Sequence, residues 1–276
     1  MMQVGQTEIM RHASRAINQR TIVWGVLRYE FLMQIRRRVL WLAYGGFSLL
    51  LFNTALGVLH NPEQPVLSLP LMQMVASVTV QLNWLPVIGI GIFLADRLPR
   101  DRANKVDELF EAMPGTLRSR LAGKYFGCVL ASLIPAFLTY IIFIGVLAVY
   151  KHTLLVFPVA LLTYSVIVLP GILFVAAFTL ACTAVLWVPL YQFLFVGYWF
   201  WGNMLSPHIG LPTLSGTILT PIGSVICAGI FGVVPYKYMQ NATPLEGATS
   251  LFVLLAIPLL VMLLFYYLLK WEQARK

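Results

Sequence analysis

The stretch ADRLPRDRANKVDELFEAMPGTLRSRLAGKYFG, residues 95–127, determines the architecture of this 276-residue chain. It places five acidic and seven basic side chains within residues 96–124. The runs on either side, residues 39–95 and 125–269, hold only four charged side chains between them. An ionised side chain at the centre of a bilayer costs about 3 kcal/mol or more. Uncharged runs beside a charged block therefore predict membrane-spanning helices joined by a polar loop.

The distribution of basic residues predicts the topology of the chain. Of the 19 Lys and Arg residues, 17 lie in the first 38 residues, in 97–124 or after residue 269. Cytoplasmic loops collect Lys and Arg, so both termini and the charged loop are expected inside. The hydrophobic content of 59% and charged content of 11% exclude an ordinary soluble domain. The net charge of +9 is divided among short segments, which favours anionic lipid headgroups over nucleic acid as its partner.

The uncharged runs predict an all-α, polytopic membrane protein with one transmembrane domain, residues 39–276, and six spans. About 20 apolar residues cross a bilayer, which places the spans at about 39–59, 71–95, 125–150, 154–179, 185–203 and 250–269. Pro170 and Pro189 are expected to divide the fourth and fifth spans. The external connection 205–249 is rich in Pro and Gly and predicts short re-entrant helices before the last span. A seventh span over 211–234 is the alternative, and it would move the C-terminus outside.

The cytoplasmic N-terminus, residues 1–38, is predicted to carry an amphipathic helix lying on the membrane surface over 21–38. Trp24, Leu27, Phe31 and Ile35 follow a 3-4-4 spacing, which stacks them on one face. A simple cytoplasmic extension of the first span is the alternative interpretation.

Catalytic chemistry is not indicated anywhere in the chain. No predicted span carries an ionisable residue near its middle, which disfavours ion-coupled transport and intramembrane proteolysis. Neither a Walker nucleotide-binding motif nor a G-x-S-x-G motif occurs. The four histidines are scattered, and the three cysteines lie far apart in apolar sequence. We therefore expect no enzymatic activity, no metal site and no cofactor bound by this chain.

The charged loop, 96–124, predicts a short helix exposed to the cytosol. Asp107 and Glu108 fall in its first turn, where the helix dipole favours negative charge, and Leu109, Phe110 and Met113 add an apolar patch. Pro114 ends it, and Thr116 is expected to cap the following helix. Such a helix suits docking onto a partner protein, although a solvated loop that only fixes topology explains the same pattern. Arg97, at the membrane edge, is expected to matter less than this helix.

The string D-R-x-x-x-V-D-E-L-F-E-A-M-P-x-T-x-R-x-x-L-A-G-K, from Asp101 to Lys124, resembles membrane subunits of the type-2 ABC exporter family, as do the basic surface helix and six spans. The resemblance implies a permease in a prokaryotic cytoplasmic (inner) membrane. A separate cytoplasmic ABC ATPase dimer would bind ATP and Mg, and a second permease copy or a homologous permease would complete the transporter. The ATPase-coupling residues that the resemblance implies are Asp107, Glu108, Leu109, Phe110, Glu111, Met113, Pro114, Thr116 and Arg118.

Spans one, two and five would line the export path in such a permease. The candidate path-lining residues are polar and lie within or beside spans: Asn53, Thr54, Gln81, Asn83, Thr139, Gln192 and Asn203. Hydrogen bonding between helices is the other explanation for each of them. A non-transporting membrane anchor or sensor subunit is the alternative function. The sequence fits a lipid, a peptide, an antibiotic or a glycan equally well as substrate.

Overall fold

The computed structural model describes residues 19–59, 65–103, 116–205, 213–235 and 241–275. Within these ranges the chain is helical, and no residue lies in a β-strand. The α-helices in these ranges are α1 Gln19–Ile35, α2 Arg38–Leu59, α3 Leu71–Leu82, α4 Trp84–Leu94, α5 Arg97–Ala103, α6 Leu117–Lys151, α7 Val156–Thr163, α8 Leu169–Cys182, α9 Val188–Met204, α10 Ser224–Phe231 and α11 Pro244–Arg275.

Four helical runs in the described ranges are long and apolar enough to cross a membrane. They are Leu71–Ala103, Leu117–Lys151, Val156–Cys182 and Pro244–Arg275. These runs correspond to the spans predicted at about 71–95, 125–150, 154–179 and 250–269. The spans predicted at about 39–59 and 185–203 also fall on helices, α2 and α9. The described part of the chain is thus all-α, as predicted, with apolar helices that suit a membrane-embedded protein.

The charged block is helical at both of its described ends. The first long run continues through α5 to Ala103, although the second span was predicted to end near residue 95. The next run begins at Leu117 rather than near residue 125. The Oγ1 atom of Thr116 accepts a hydrogen bond from the backbone N–H of Ser119 at 3.3 Å, which confirms the predicted cap. Both helices therefore extend beyond their apolar parts into the loop.

The two prolines that were expected to divide the fourth and fifth spans behave differently. Pro189 lies in the first turn of α9, where a missing N–H costs nothing. Pro170 lies inside the run Val156–Cys182, directly after a π-helical turn at Tyr164–Val168, so the prediction that it divides spans is wrong. The wider turn changes the backbone pairing just before the proline and lets the run continue.

The core lies between α6 and the helices on either side of it. Tyr44 of α2 is 2% exposed and donates its hydroxyl hydrogen to the carbonyl of Pro86 in α4 at 3.0 Å. Tyr140 of α6 meets the hydroxyls of Thr79 and Thr163 at 2.9 and 3.1 Å. Because these hydroxyls satisfy one another away from water, they fix the relative positions of α3, α6 and α7.

The connection before α11 contains one short helix in its described residues. The helix α10 has eight residues, which is about 12 Å and too short to cross a bilayer. The rest of 213–235 forms turns and irregular backbone, so no continuous helix covers the described part of 211–234. A Cβ atom on Gly229 would lie 2.8 Å from the backbone of Gly247, which shows how closely α10 packs against α11.

Candidate functional site at the stem of the charged loop

Most of the predicted coupling helix lies outside the described residues. Asp107, Glu108, Leu109, Phe110, Glu111, Met113 and Pro114 all belong to this undescribed part, residues 104–115. The described coupling residues are Thr116, which caps α6, and Arg118. The guanidinium carbon of Arg118 lies 4.8 Å from the ring centre of Tyr266 in α11, which places this cation over an aromatic face.

Four charged side chains from α1, α5 and α6 meet in one buried group. Glu30 of α1 forms an ion pair with Arg97 of α5, and Asp101 of α5 forms another with Lys124 of α6. The Lys124 Nζ atom also lies 3.9 Å from Glu30 Oε1. We call these four residues the charged cluster. Glu30 and Arg97 are 0% exposed, so Arg97, which was expected at the membrane edge, is enclosed by protein.

The charged cluster is electrically neutral but only partly satisfied. Two carboxylates face two cations, which offsets the large cost of removing each charge from water. Five buried atoms in or beside it nevertheless form no hydrogen bond within the described residues: Glu30 Oε1, Arg97 Nε and Nη1, and Gln34 Oε1 and Nε2. A buried polar network with unpaired members adds little net stability, because each unpaired group keeps its desolvation penalty. Its contribution is therefore the relative placement of α1, α5 and α6.

Two glycines in α6 bring α1 into backbone contact with it. A Cβ atom on Gly123 would lie 2.8 Å from the Val23 carbonyl oxygen, and one on Gly127 would lie 2.7 Å from that of Leu27. Such distances essentially never occur between real Cβ atoms and backbone oxygens. Only glycine allows this approach, and it brings the side chains of α1 and α6 close enough to form the charged cluster.

The face of α1 that packs against α6 was not predicted. Val26, Glu30 and Gln34, spaced four residues apart, are buried against the protein. Trp24, from the predicted membrane-facing set, is 65% exposed, and Leu27, Phe31 and Ile35 are half-buried. One face of α1 thus packs against the protein, and another carries apolar side chains that point outward.

Weaker polar contacts connect α5, and the residue before it, to three further parts of the chain. Asp96, which precedes α5, pairs with Arg37 at 3.0 Å. Arg102 donates to the carbonyl of Ala184 at 3.0 Å, in the turn between α8 and α9, and lies 3.8 Å from Glu272 of α11. These pairs are partly exposed, so each is worth about 0–1 kcal/mol. Through these contacts and the charged cluster, α5 is bonded to several of the helices around the loop.

The candidate path-lining residues differ in their surroundings. Four are already hydrogen-bonded inside the chain: Asn83 to Ile222, Thr139 to Ser48 and Pro135, Gln192 to Ile92, and Asn203 to Trp199. Gln81 is half-buried, Asn53 is exposed on α2, and the side chain of Thr54 lies outside the described part. Hydrogen bonding between helices therefore accounts for Thr139 and Gln192, and Asn83 is bonded to the turn that precedes α10.

Asn83 and Thr139 share a small cavity between α2, α3, α6 and the π-helical turn. Its volume is about 10 Å³, enough for about one water molecule. The Asn83 Oδ1 atom, which forms no hydrogen bond in the described structure, belongs to a lining residue. This cavity is too small for an exported substrate and suits a bridging water.

No site for a metal ion is found in the described ranges, which contain no group of three or more His, Cys, Asp or Glu residues. Cys128 and Cys227 are buried and free. Cys227 lies in the apolar core, as expected, whereas the Cys128 Sγ atom lies 3.9 Å from Glu30 Oε2, beside the charged cluster. Cys182 is free and half-buried.

No family model, curated protein or solved structure matches this chain.

Proposed function

We propose that this chain is the permease subunit of an ATP-driven exporter of the type-2 ABC kind, working with a separate cytoplasmic ATPase dimer. The observation that carries the proposal is the charged cluster, which joins α1, α5 and α6 at the base of the loop that resembles the family's coupling segment. A force on residues 104–115 would act on α5 and α6 directly. The charged cluster would then pass that displacement to α1.

The proposed topology has six spans with both termini in the cytoplasm. The four apolar runs supply four spans, and α2 and α9 supply the other two. The helix α2 has 22 residues, enough for a core about 30 Å thick. The short helix α10 would lie in the outer leaflet, packed against α11. The distribution of Lys and Arg supports this orientation, since the charged loop and both ends carry most of them.

The proposed mechanism requires no catalytic residue in this chain. ATP binding would draw the two ATPase subunits together and displace the loop of each permease. Because α5 contacts several helices by ion pairs, that displacement would move them as a unit rather than bend one helix. A second copy or a homologous permease would complete the path. The alternative, a membrane anchor or sensor subunit, requires no ATPase partner.

Purification of the tagged full-length chain from its native membranes tests the proposal. We expect an ABC ATPase to co-purify, and its ATP hydrolysis to depend on the loop. Glu108→Lys should abolish co-purification, since like-charge contacts at an interface cost several kcal/mol. Leu109→Ala and Phe110→Ala should weaken the interaction by removing apolar anchors, at more than about 1 kcal/mol each if they are central.

A matched control separates docking from general charge effects. Glu272→Lys makes the same charge reversal on the predicted cytoplasmic side, where the side chain is half-exposed and loses only a surface pair. It should retain the ATPase. The docking assignment is wrong if Glu108→Lys retains the ATPase with full activity. Absence of any ATPase from the wild-type complex would favour the anchor or sensor function.

A further inference from the structure

The outward face of α2 carries an amide that has no hydrogen-bond partner in the described part of the chain. Asn53 is exposed and forms no hydrogen bond with any described residue. It follows Arg38 by 15 residues, which is about 22 Å along an α-helix. With Arg38 at the cytoplasmic headgroups, as the proposed topology places it, Asn53 lies within a hydrocarbon core about 30 Å thick. An unsatisfied amide facing lipid is costly, so a partner is required.

The inward face of α2 is already occupied by the rest of the chain. Leu40 and Tyr44 are 1% and 2% exposed, and Ser48 meets Thr139 of α6 at 2.9 Å. The described helices therefore leave the face that carries Asn53 open to a partner from outside the chain.

Five outward positions form one stripe with 3-4-3-4 spacing: Val39, Leu42, Gly46, Leu49 and Asn53. Val39, Leu42 and Leu49 are 64%, 75% and 73% exposed. This is the spacing of a left-handed helix pair, with Val39, Gly46 and Asn53 at the a positions. We call these five residues the α2 seam.

Gly46 gives the α2 seam room for a second backbone. A Cβ atom placed on Gly46 would have nothing within 4 Å, unlike one on Gly123 or Gly127, which would meet α1. Packing within the chain does not require this glycine. Small residues on membrane helices let neighbouring backbones approach closely, and a second helix along the seam would use that space.

We infer that the α2 seam docks in parallel against the same seam of a second copy of this chain, with Asn53 hydrogen-bonded to its counterpart. Copies in one membrane share an orientation, so a two-fold axis between them runs along the membrane normal. On that axis each seam residue meets itself. Asparagine is suited to this position because its amide carries both a donor and an acceptor, and two amides can satisfy each other. The inference concerns the contact between copies and stands independently of the ATPase.

Cross-linking in membranes maps the contact directly. Single cysteines are introduced in the full-length chain, with the three native cysteines replaced, at Leu42, Leu49 and Asn53 of the seam. The controls are Trp41→Cys and Phe52→Cys, which are also exposed on α2 but one position off the seam. Mild oxidation should convert the seam variants to disulfide-linked dimers at least about fivefold faster than the controls, since a and d side chains lie closest to the facing helix.

Dimerisation in liposomes tests the two residues that single out this stripe. Energy transfer between labelled copies is measured while lipid dilutes the protein. Asn53→Leu should weaken association about 3- to 15-fold, as expected for one hydrogen bond between membrane helices, and Asn53→Gln should restore part of it. Gly46→Leu should weaken association strongly. Gly197→Leu, the same change on α9 where a Cβ atom also has nothing within 4 Å, should not.

The outcomes separate this contact from its alternatives. Equal cross-linking at seam and control positions, or unchanged association in both Asn53→Leu and Gly46→Leu, would overturn the inference. Cross-linking to a protein of another mass would show a different partner on the seam. Rapid reaction of Asn53→Cys with a membrane-impermeant polar thiol reagent, without dimer formation, would instead place Asn53 in a water-filled path.

Discussion

Removing Arg97 should release α1 from the helical bundle. In Arg97→Met, Glu30 remains buried, and the one cation left beside it in the described structure is Lys124, at 3.9 Å, which is already paired with Asp101. Breaking a buried ion pair from one side costs about 3–5 kcal/mol. Because Lys124 retains some attraction, we expect the lower end of that range, about 3 kcal/mol.

The double variant Glu30→Leu/Arg97→Met makes the prediction specific to charge. It removes both partners of the pair and leaves Asp101 and Lys124 paired, so no isolated charge remains. Apolar replacement of a buried ion pair is often neutral or stabilising. We therefore expect the double variant to unfold within about 1 kcal/mol of the wild type, a coupling of at least about 2 kcal/mol between the two sites.

Denaturant titration of the detergent-solubilised protein, followed by circular dichroism, measures these differences. Tryptic cleavage at Arg28, in membranes, reports whether α1 stays docked. Arg102→Met is the control, because its pair with Glu272 is about half-exposed and worth at most about 1 kcal/mol. The reasoning is refuted if Arg97→Met is as mild as Arg102→Met, or if the double variant is no more stable than Arg97→Met alone.

Further predictions concern helix packing and topology. Gly127→Ala should destabilise the protein by about 1–3 kcal/mol through overpacking against the carbonyl of Leu27. Gly145→Ala is the control and should be neutral or slightly stabilising, because a Cβ atom there meets nothing within 4 Å. The melting temperatures of the two variants measure the difference. A cysteine at Gln273 should react with a membrane-impermeant thiol reagent only from the cytoplasm, and one at Glu63 only from outside. Labelling of the Gln273 variant from outside would show an odd number of spans.

The membrane-spanning helices could be predicted from the sequence because long runs without charged residues identify them. Runs without charge are stable in lipid wherever they occur, so the charge distribution alone located the runs that became Leu71–Ala103 and Leu117–Lys151. Their ends were predicted less well. Residues 97–103 were predicted as loop because charges and Pro99 interrupt the apolar pattern. The chain is nevertheless helical there, and Arg97, Asp101 and Arg102 each pair with a side chain on another helix.

The charged cluster could not be predicted because its members are far apart in sequence. Glu30 and Gln34 interrupt an apolar pattern, and a hydropathy pattern predicts that such residues face solvent or lipid headgroups. Gly123 and Gly127 gave a usable signal, being two small residues four positions apart on one helix face, which is typical of close helix contact. Nothing in their spacing, however, identifies α1 as the helix that they contact.

The neutrality of the charged cluster has an electrical consequence. Moving one elementary charge through the full membrane field changes the energy by about 2.3 kcal/mol per 100 mV. The paired groups Glu30–Arg97 and Asp101–Lys124 travel together when α1, α5 and α6 move as a unit, so they carry no net gating charge. The charged cluster itself would therefore add no voltage dependence to a displacement of these helices, and in the proposed exporter the work of that displacement would come from nucleotide binding by the ATPase.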